Sequence, residues 1–209
     1  MKKILSVFAA LVALTACNSS EPKAETAATN DGKTIIENIM TRTSIRQFTD
    51  QTISADTIET LLRAGMAAPT AVNKQPWHFV AVTSKDKLKE MAINNPNARM
   101  LEQAPLTIVV CGDMQKALEG EARALWVQDC SAATENILLA AHGLGLGAVW
   151  TALYLLDERA KSAIEALKLP DHIVPLCAII IGHPAENPEP KDKWLPENVS
   201  YNEFGGKAE

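Results

Sequence analysis

The chain has 209 residues, 47% of them hydrophobic and 22% charged, with a formal net charge of −5 at pH 7. An acidic balance with no extended basic face excludes nucleic acid as the main partner. No segment reaches the roughly 20 uninterrupted apolar residues that a membrane-spanning helix needs.

Lys2 and Lys3, an apolar run over residues 4–14 and small residues up to Cys17 follow the order of a secretory signal. Leu14, Thr15, Ala16 and Cys17 resemble a bacterial lipobox, which implies a signal over residues 1–17 and lipidation of Cys17 on sulfur. The plainer alternatives are an ordinary secretory signal with an incidental cysteine and a precursor retained in the cytosol. Residues 18–33 are rich in Ser, Ala, Thr, Asn and Glu and nearly free of large apolar side chains. They cannot bury enough surface to offset the entropy of ordering, so a flexible tether is predicted there. Residues 34–209 are then long enough for one domain with a sizeable core.

Ile35, Ile36, Ile39 and Met40 form a helical stripe that stops at residues 42–48, RTSIRQF. Two guanidinium groups and two hydroxyls within seven residues suit a phosphate-sized anion, because arginine's rigid fork matches phosphate oxygens. Ile45 and Phe48 could anchor such a loop to the body, and the alternative is a solvated basic loop. Ser54 is predicted to cap a helix whose face is Ile58, Leu61, Leu62 and Gly65 and which Pro69 stops. Residues 68–79, APTAVNKQPWHF, follow with small and polar residues that leave backbone groups free to meet a ligand. A strand is predicted at 78–83, a helix capped by Ser84 at 84–93, turn material at 94–97 and a short helix at 98–103. LTIVVC at 106–111 reads as a central strand covered on both faces.

The longest helical pattern runs over residues 117–142 and is expected to be the core helix. GLGLG at 143–147 follows that helix and precedes a strand, the reverse of the dinucleotide-binding order, so that reading is rejected. Its glycines could still let a backbone approach a flat ring. A strand at 148–153 includes Trp150, Asp157 is a predicted N-cap for a helix to residue 167, and 173–181 is a further buried strand. Beyond Gly182, four prolines and the apolar Trp194, Leu195, Tyr201 and Phe204 describe an extended arm that buries aromatic anchors on a neighbour. Cys111, Cys130 and Cys177 lie in apolar segments and are expected as buried free thiols. His78, His142, His172 and His183 lack partners at metal-ligand spacing and are read as structural or surface residues. The interleaved helices and strands indicate an α+β domain.

RTSIRQF, APTAVNKQPWHF, DCSAATENILLAAHGLGLGAVW and IIIGHPAENPEPKDKW, in that order, resemble segments of the FMN-dependent nitroreductase family. The resemblance covers nearly all of residues 34–209 and implies a mixed central sheet flanked by helices. It also implies a homodimer that exchanges the C-terminal arm and holds FMN at its interface. Arg42, Thr43, Ser44 and Arg46 would then bind the FMN phosphate and ribityl chain, with Lys191 and Lys193 closing on the same phosphate. Pro69, Thr70, Ala71 and Asn73 would line the flavin from the other subunit, and Asn97 would meet the pyrimidine edge of the ring. Trp150, Thr151 and Ala152 would lie beside the ring and offer a backbone N–H towards N5. Some relatives carry a Lys or Arg three places after the matching Asn; here that place is Met100, leaving Arg99 and Lys74 as candidates for the charge near N1.

The implied activity is NAD(P)H-dependent two-electron reduction of nitroaromatics, quinones or similar flat acceptors by a ping-pong mechanism, with no catalytic side chain. The acceptor pocket would be shaped by residues 112–121 and Tyr154. An exported, membrane-anchored lipoprotein would need another reductant or a partner that feeds it electrons, since NAD(P)H is a cytosolic currency. The alternatives are a specialised flavoenzyme of the same fold, such as a reductive dehalogenase or flavin-consuming enzyme, and a non-catalytic FMN-binding lipoprotein.

Overall fold

The computed structural model describes residues 32–93, 95 and 99–207; Cys17, Asn97 and the expected tether up to residue 31 lie outside the described residues. Helix α1 (Gly32–Thr41) opens two residues before the expected domain boundary. Helix α2 (Ala55–Met66) begins where Ser54 accepts a bond from the Thr57 N–H at 3.2 Å, as its cap position predicts. Strand β1 (Trp77–Val82), helices α3 (Lys85–Ala92) and α4 (Arg99–Gln103) and strand β2 (Leu106–Asp113) follow. Helix α5 (Leu125–Gly143), strand β3 (Gly147–Ala152), helix α6 (Asp157–Leu167) and strand β4 (Ile173–Gly182) complete the body.

The strands form one sheet in the order β1-β2-β4-β3, and all three pairings are antiparallel. This corrects the expected mixed sheet. Strands β2 and β3 do run in the same direction, but β4 lies between them and pairs antiparallel with both. Among the described residues the parallel contact is confined to an isolated bridge between Ser44 and Ala148.

Strands β2 and β4 are buried along nearly their whole length, which explains their unbroken apolar runs. Leu106, Ile108, Val110, Ile179 and Ile181 join one core cluster with Leu61 of α2 and Cys130, Ala133 and Ile137 of α5. Val109, Cys111, Ala178 and Ile180 join the other with Leu88 of α3, Leu101 of α4 and Ala163 of α6. The domain therefore has helices on both faces of a central sheet.

Two boundaries and one cap bond differ from the sequence expectation. Residues 120–124 form a 3-10 turn ahead of α5, because Gly120 sits at φ +60° and breaks the helical path. Leu156 holds the N-cap position of α6, and Asp157 stands in the first turn, where its charge still favours the helix's positive end. Ser84 makes no side-chain cap bond; Lys85 instead sends its ammonium to the carbonyls of Gln103 (3.1 Å) and Ala104 (2.9 Å), tying α3 to the end of α4.

Cys111, Cys130 and Cys177 are free, fully buried thiols. Burial pushes the Cys111 thiol up to about 12, helped by the nearby Cys177. It does the same to Cys177, against a small opposing effect of its hydrogen bond with Thr134. Burial likewise raises Cys130. Neutral, inaccessible thiols do not alkylate, since the thiolate is the nucleophile. Iodoacetamide at pH 8 is expected to leave all three unmodified in native protein and to modify all three in denaturant, as read residue by residue by mass spectrometry. Native labelling at any one of them would contradict the buried arrangement.

Candidate functional site

Residues 42–48 leave the end of α1 and cross the sheet at the paired ends of β3 and β4. Two glycines directly opposite each other, Gly147 and Gly182, make the seat. A Cβ on Gly147 would stand 2.6 Å from Ile45 Cγ2 and 2.7 Å from Ile45 Cβ, and a Cβ on Gly182 would stand 2.8 Å from Phe48 Cδ1. The two apolar anchors of the loop thus occupy space that any other residue pair would fill. Gly147, read from sequence as room for a flat ring, serves the loop instead. Ile45 N–H donates to the Ala148 carbonyl at 3.1 Å, and Thr49 N–H to the His183 carbonyl at 2.9 Å, which fixes the loop at both ends.

With the apolar residues turned inward, the polar ones face a cleft of about 650 Å³. Arg42, Thr43, Ser44 and Arg46 line it together with Lys191 and Lys193 of the tail, so the two sequence-distant sets of cations meet in one place. The volume falls in the roughly 300–1,000 Å³ range of small-molecule sites. Arg42 is largely covered and pairs with Glu135 of α5, Nε to Oε1 at 3.6 Å, a length beyond a hydrogen bond. Its donors therefore remain available to an anion. Arg46 is exposed, and its Nη1 reaches the Ser44 carbonyl at 3.4 Å.

The sequence reading missed the cleft's carboxylates. Glu135, Glu189 and Asp192 also line it, leaving four cations against three anions. It also missed Glu186, whose Oε1 accepts the backbone N–H groups of Arg46 and of Gln47, the second at 3.1 Å. A carboxylate in a proline-rich tail carries no local signal for such a role.

The remaining expected site residues that the structure describes lie elsewhere in this chain and do not line the cleft. Pro69 and Asn73 are exposed, and Thr70 and Ala71 are half-buried, in the turn after α2. That turn is strained: Val72, Asn73 and Gln75 have φ of 42°, 57° and 50°, a region disfavoured for side chains with a branched Cβ such as valine's. It is held by Asp129, a buried carboxylate of α5 that accepts the Ala71 N–H at 2.9 Å, and by Thr70 Oγ1, which accepts the Gln75 N–H at 3.1 Å.

Trp150 is half-buried against the core, Thr151 spends its hydroxyl on the Ala178 carbonyl at 2.8 Å, and Ala152 is exposed. Strand β3 is an edge strand. Because the Ala148 carbonyl points to the loop at that edge, the two-residue period turns the backbone polar groups of Trp150 and Ala152 to the same open side. Met100 stands on α4, while Tyr154 packs edge-on against Trp126 at 4.9 Å between ring centres.

Comparison with known proteins places this arrangement. The family model described as "Nitroreductase family" matches residues 39–94 and 89–183. A model for prokaryotic membrane lipoprotein lipid attachment sites matches residues 1–18, which include Cys17. No helix among the described residues is long and apolar enough to cross a membrane. A Methanothermobacter thermautotrophicus protein with the provisional name NADH dehydrogenase/NAD(P)H nitroreductase is 41% identical over 83% of this chain and 92% of its own length. A Bacteroides thetaiotaomicron structure under the same provisional name has a TM-score of 0.77 at 41% identity, covering 82% of this chain and 98% of that one. The NADPH:FMN oxidoreductase of Vibrio harveyi, solved with NAD+, has a TM-score of 0.74 at 31% identity, covering 81% and 77%. A family match that runs from the end of α1 to the end of β4, over the seated loop and the whole sheet, establishes that the chain belongs to the nitroreductase family.

Proposed function

We propose that this protein is an FMN-dependent NAD(P)H oxidoreductase that reduces nitroaromatics, quinones or similar flat acceptors by two electrons in a ping-pong cycle. The observation that carries the reading is the one cleft in which Arg42, Thr43, Ser44 and Arg46 face Lys191 and Lys193. That donor set fits a phosphate monoester, with two planar forks, two hydroxyls and two point charges. When bound, the flavin supplies the hydride chemistry, and the protein supplies binding and orientation.

Arg42 and Arg46 would grip the phosphate, with Thr43, Ser44, Lys191 and Lys193 completing the shell. The open backbone edge at Trp150 and Ala152 would offer N–H groups beside the ring. The strained turn holding Pro69, Thr70, Ala71 and Asn73 would cover the ring from a second subunit, held in shape by Asp129. Asn97 would meet its pyrimidine edge. A homodimer is favoured by the apolar surface that one chain leaves exposed: Ile36 (60%) and Met40 (67%) on α1, and Trp194 (66%) and Phe204 (102%) in the tail. Exposed apolar side chains of this kind support such an interface. Lipidation of Cys17 would anchor the protein on the outer side of the cytoplasmic membrane or on a surface reached by export.

The deciding experiment is an anaerobic titration of purified protein followed by its flavin absorption. NADH or NADPH is expected to bleach the bound flavin, and a nitroaromatic or quinone to restore it. Absence of flavin binding refutes the cofactor reading. Bound flavin that neither nucleotide bleaches refutes the nucleotide as donor and leaves the partner-fed lipoprotein, which the attachment site at residues 1–18 independently favours.

A further inference from the structure

Glu186 sits where simple electrostatics would not put it. It lies on the tail between β4 and the two lysines, beside a loop whose arginines collect an anion, and a carboxylate there opposes anion binding. Yet its Oε1 is fastened by two backbone N–H groups of that loop, from Arg46 and Gln47. The preceding residues are also tied down: Ala185 N–H donates to the Gln47 carbonyl at 2.9 Å, and Pro184 bridges Phe48. Among the described residues Glu186 makes the last bond between tail and loop before Lys191 and Lys193 reach the cleft.

Resting on the reading that the cleft takes a phosphate monoester, we propose that Glu186 is a positioning residue of the clamp. Its carboxylate holds the amides of Arg46 and Gln47 and so sets the tail at the height where Lys191 and Lys193 face Arg42 and Arg46. Two consequences separate this from a general charge effect. If charge were all that mattered, any loss of the carboxylate would tighten anion binding. If position matters, removing the acceptor loosens the tail and weakens binding, while a neutral acceptor of the same length preserves it, since a Gln side-chain oxygen can accept both N–H groups.

The test is a titration of flavin-stripped protein with FMN, followed by quenching of FMN fluorescence. Glu186→Ala is expected to weaken binding about tenfold, the scale of one or two lost hydrogen bonds to a charged group, and Glu186→Gln to stay within about threefold of wild type. Glu186→Asp keeps the charge and withdraws the oxygen, so it is expected to follow the alanine variant and serves in its place if that variant does not fold. The pair Lys191→Ala and Lys193→Ala should weaken wild type by about tenfold or more and the Glu186→Ala protein by under about threefold, because the lysines are already misplaced there. A readout free of FMN is the rate of trypsin cleavage after Lys191 and Lys193, expected to rise in Glu186→Ala and Glu186→Asp and not in Glu186→Gln.

Unchanged or tighter FMN binding in Glu186→Ala and Glu186→Asp, fully multiplicative losses with the lysine pair, or equal cleavage rates would each overturn the proposal. Wild-type protein that takes no FMN would refute the functional reading instead, and the cleavage rates would still decide whether Glu186 fastens the tail.

Discussion

Replacing Arg42 by alanine is expected to weaken FMN binding by about 1.5–3 kcal/mol, the scale of a charge-assisted hydrogen bond, or roughly 10- to 150-fold in Kd. Three features put Arg42 above the other cations of the cleft. It is the more covered of the two arginines, with 18% of its side chain exposed, so its field is less screened than that of Arg46. It stands at the end of α1, where its own N–H bonds the Asn38 carbonyl at 3.3 Å, so its backbone is fixed before ligand arrives. Its partner Glu135 holds it at ion-pair distance without consuming its donors. Loss of the arginine leaves Glu135 half exposed to water, so the fold should hardly change. Arg42→Lys keeps the charge and loses the fork, and an intermediate loss is expected. Calorimetric titration with FMN measures both; unchanged affinity in Arg42→Ala would remove Arg42 from the phosphate site.

Gly147→Ala is the second large effect, and it reaches the same site through packing. The new methyl would lie 2.6–2.7 Å from Ile45, which lies on the loop, while β3 is held by β4 and has no freedom to retreat. Overpacking of this kind costs about 1–3 kcal/mol, which for a domain of this size lowers Tm by roughly 3–10 °C. The loop is the movable partner, so FMN affinity should fall about tenfold or more although residue 147 contacts no part of the cleft. Gly182→Ala is expected to act the same way through Phe48. Thermal unfolding and FMN titration check both variants. Ile45→Ala placed on Gly147→Ala should cost less stability than the sum of the single changes, because it makes room for the methyl. Wild-type stability together with wild-type affinity in Gly147→Ala would show that the glycine seat is dispensable.

The parts of this architecture that are legible in sequence are those written locally. The unbroken apolar runs of β2 and β4, the Ser54 cap and the stripe on α2 follow from short-range spacing. The loop at residues 42–48 declares its donors openly, and the lysines at 191 and 193 could be assigned to it from family resemblance. What was not legible depends on contacts between distant segments. Nothing local marks Gly147 and Gly182 as a cross-strand pair, Asp129 as the clasp of a turn some sixty positions earlier, or Glu186 as a bond to residues 46 and 47. The sense of the sheet depends on distant segments in the same way. The family resemblance implies a mixed sheet, whereas β4, the last of the four strands in sequence, lies between β2 and β3 and pairs antiparallel with both.

The place of β4 also governs when the domain can form. It is the last strand made and it occupies an interior position, so before residue 182 leaves the ribosome both β2 and β3 lack a hydrogen-bonded neighbour that no earlier segment supplies. Strand pairing across such long sequence separations is slow and comes late. In a chain whose residues 1–18 match a lipoprotein attachment site, such an order of assembly would leave a precursor unfolded through most of its synthesis, the state that passage across a membrane requires.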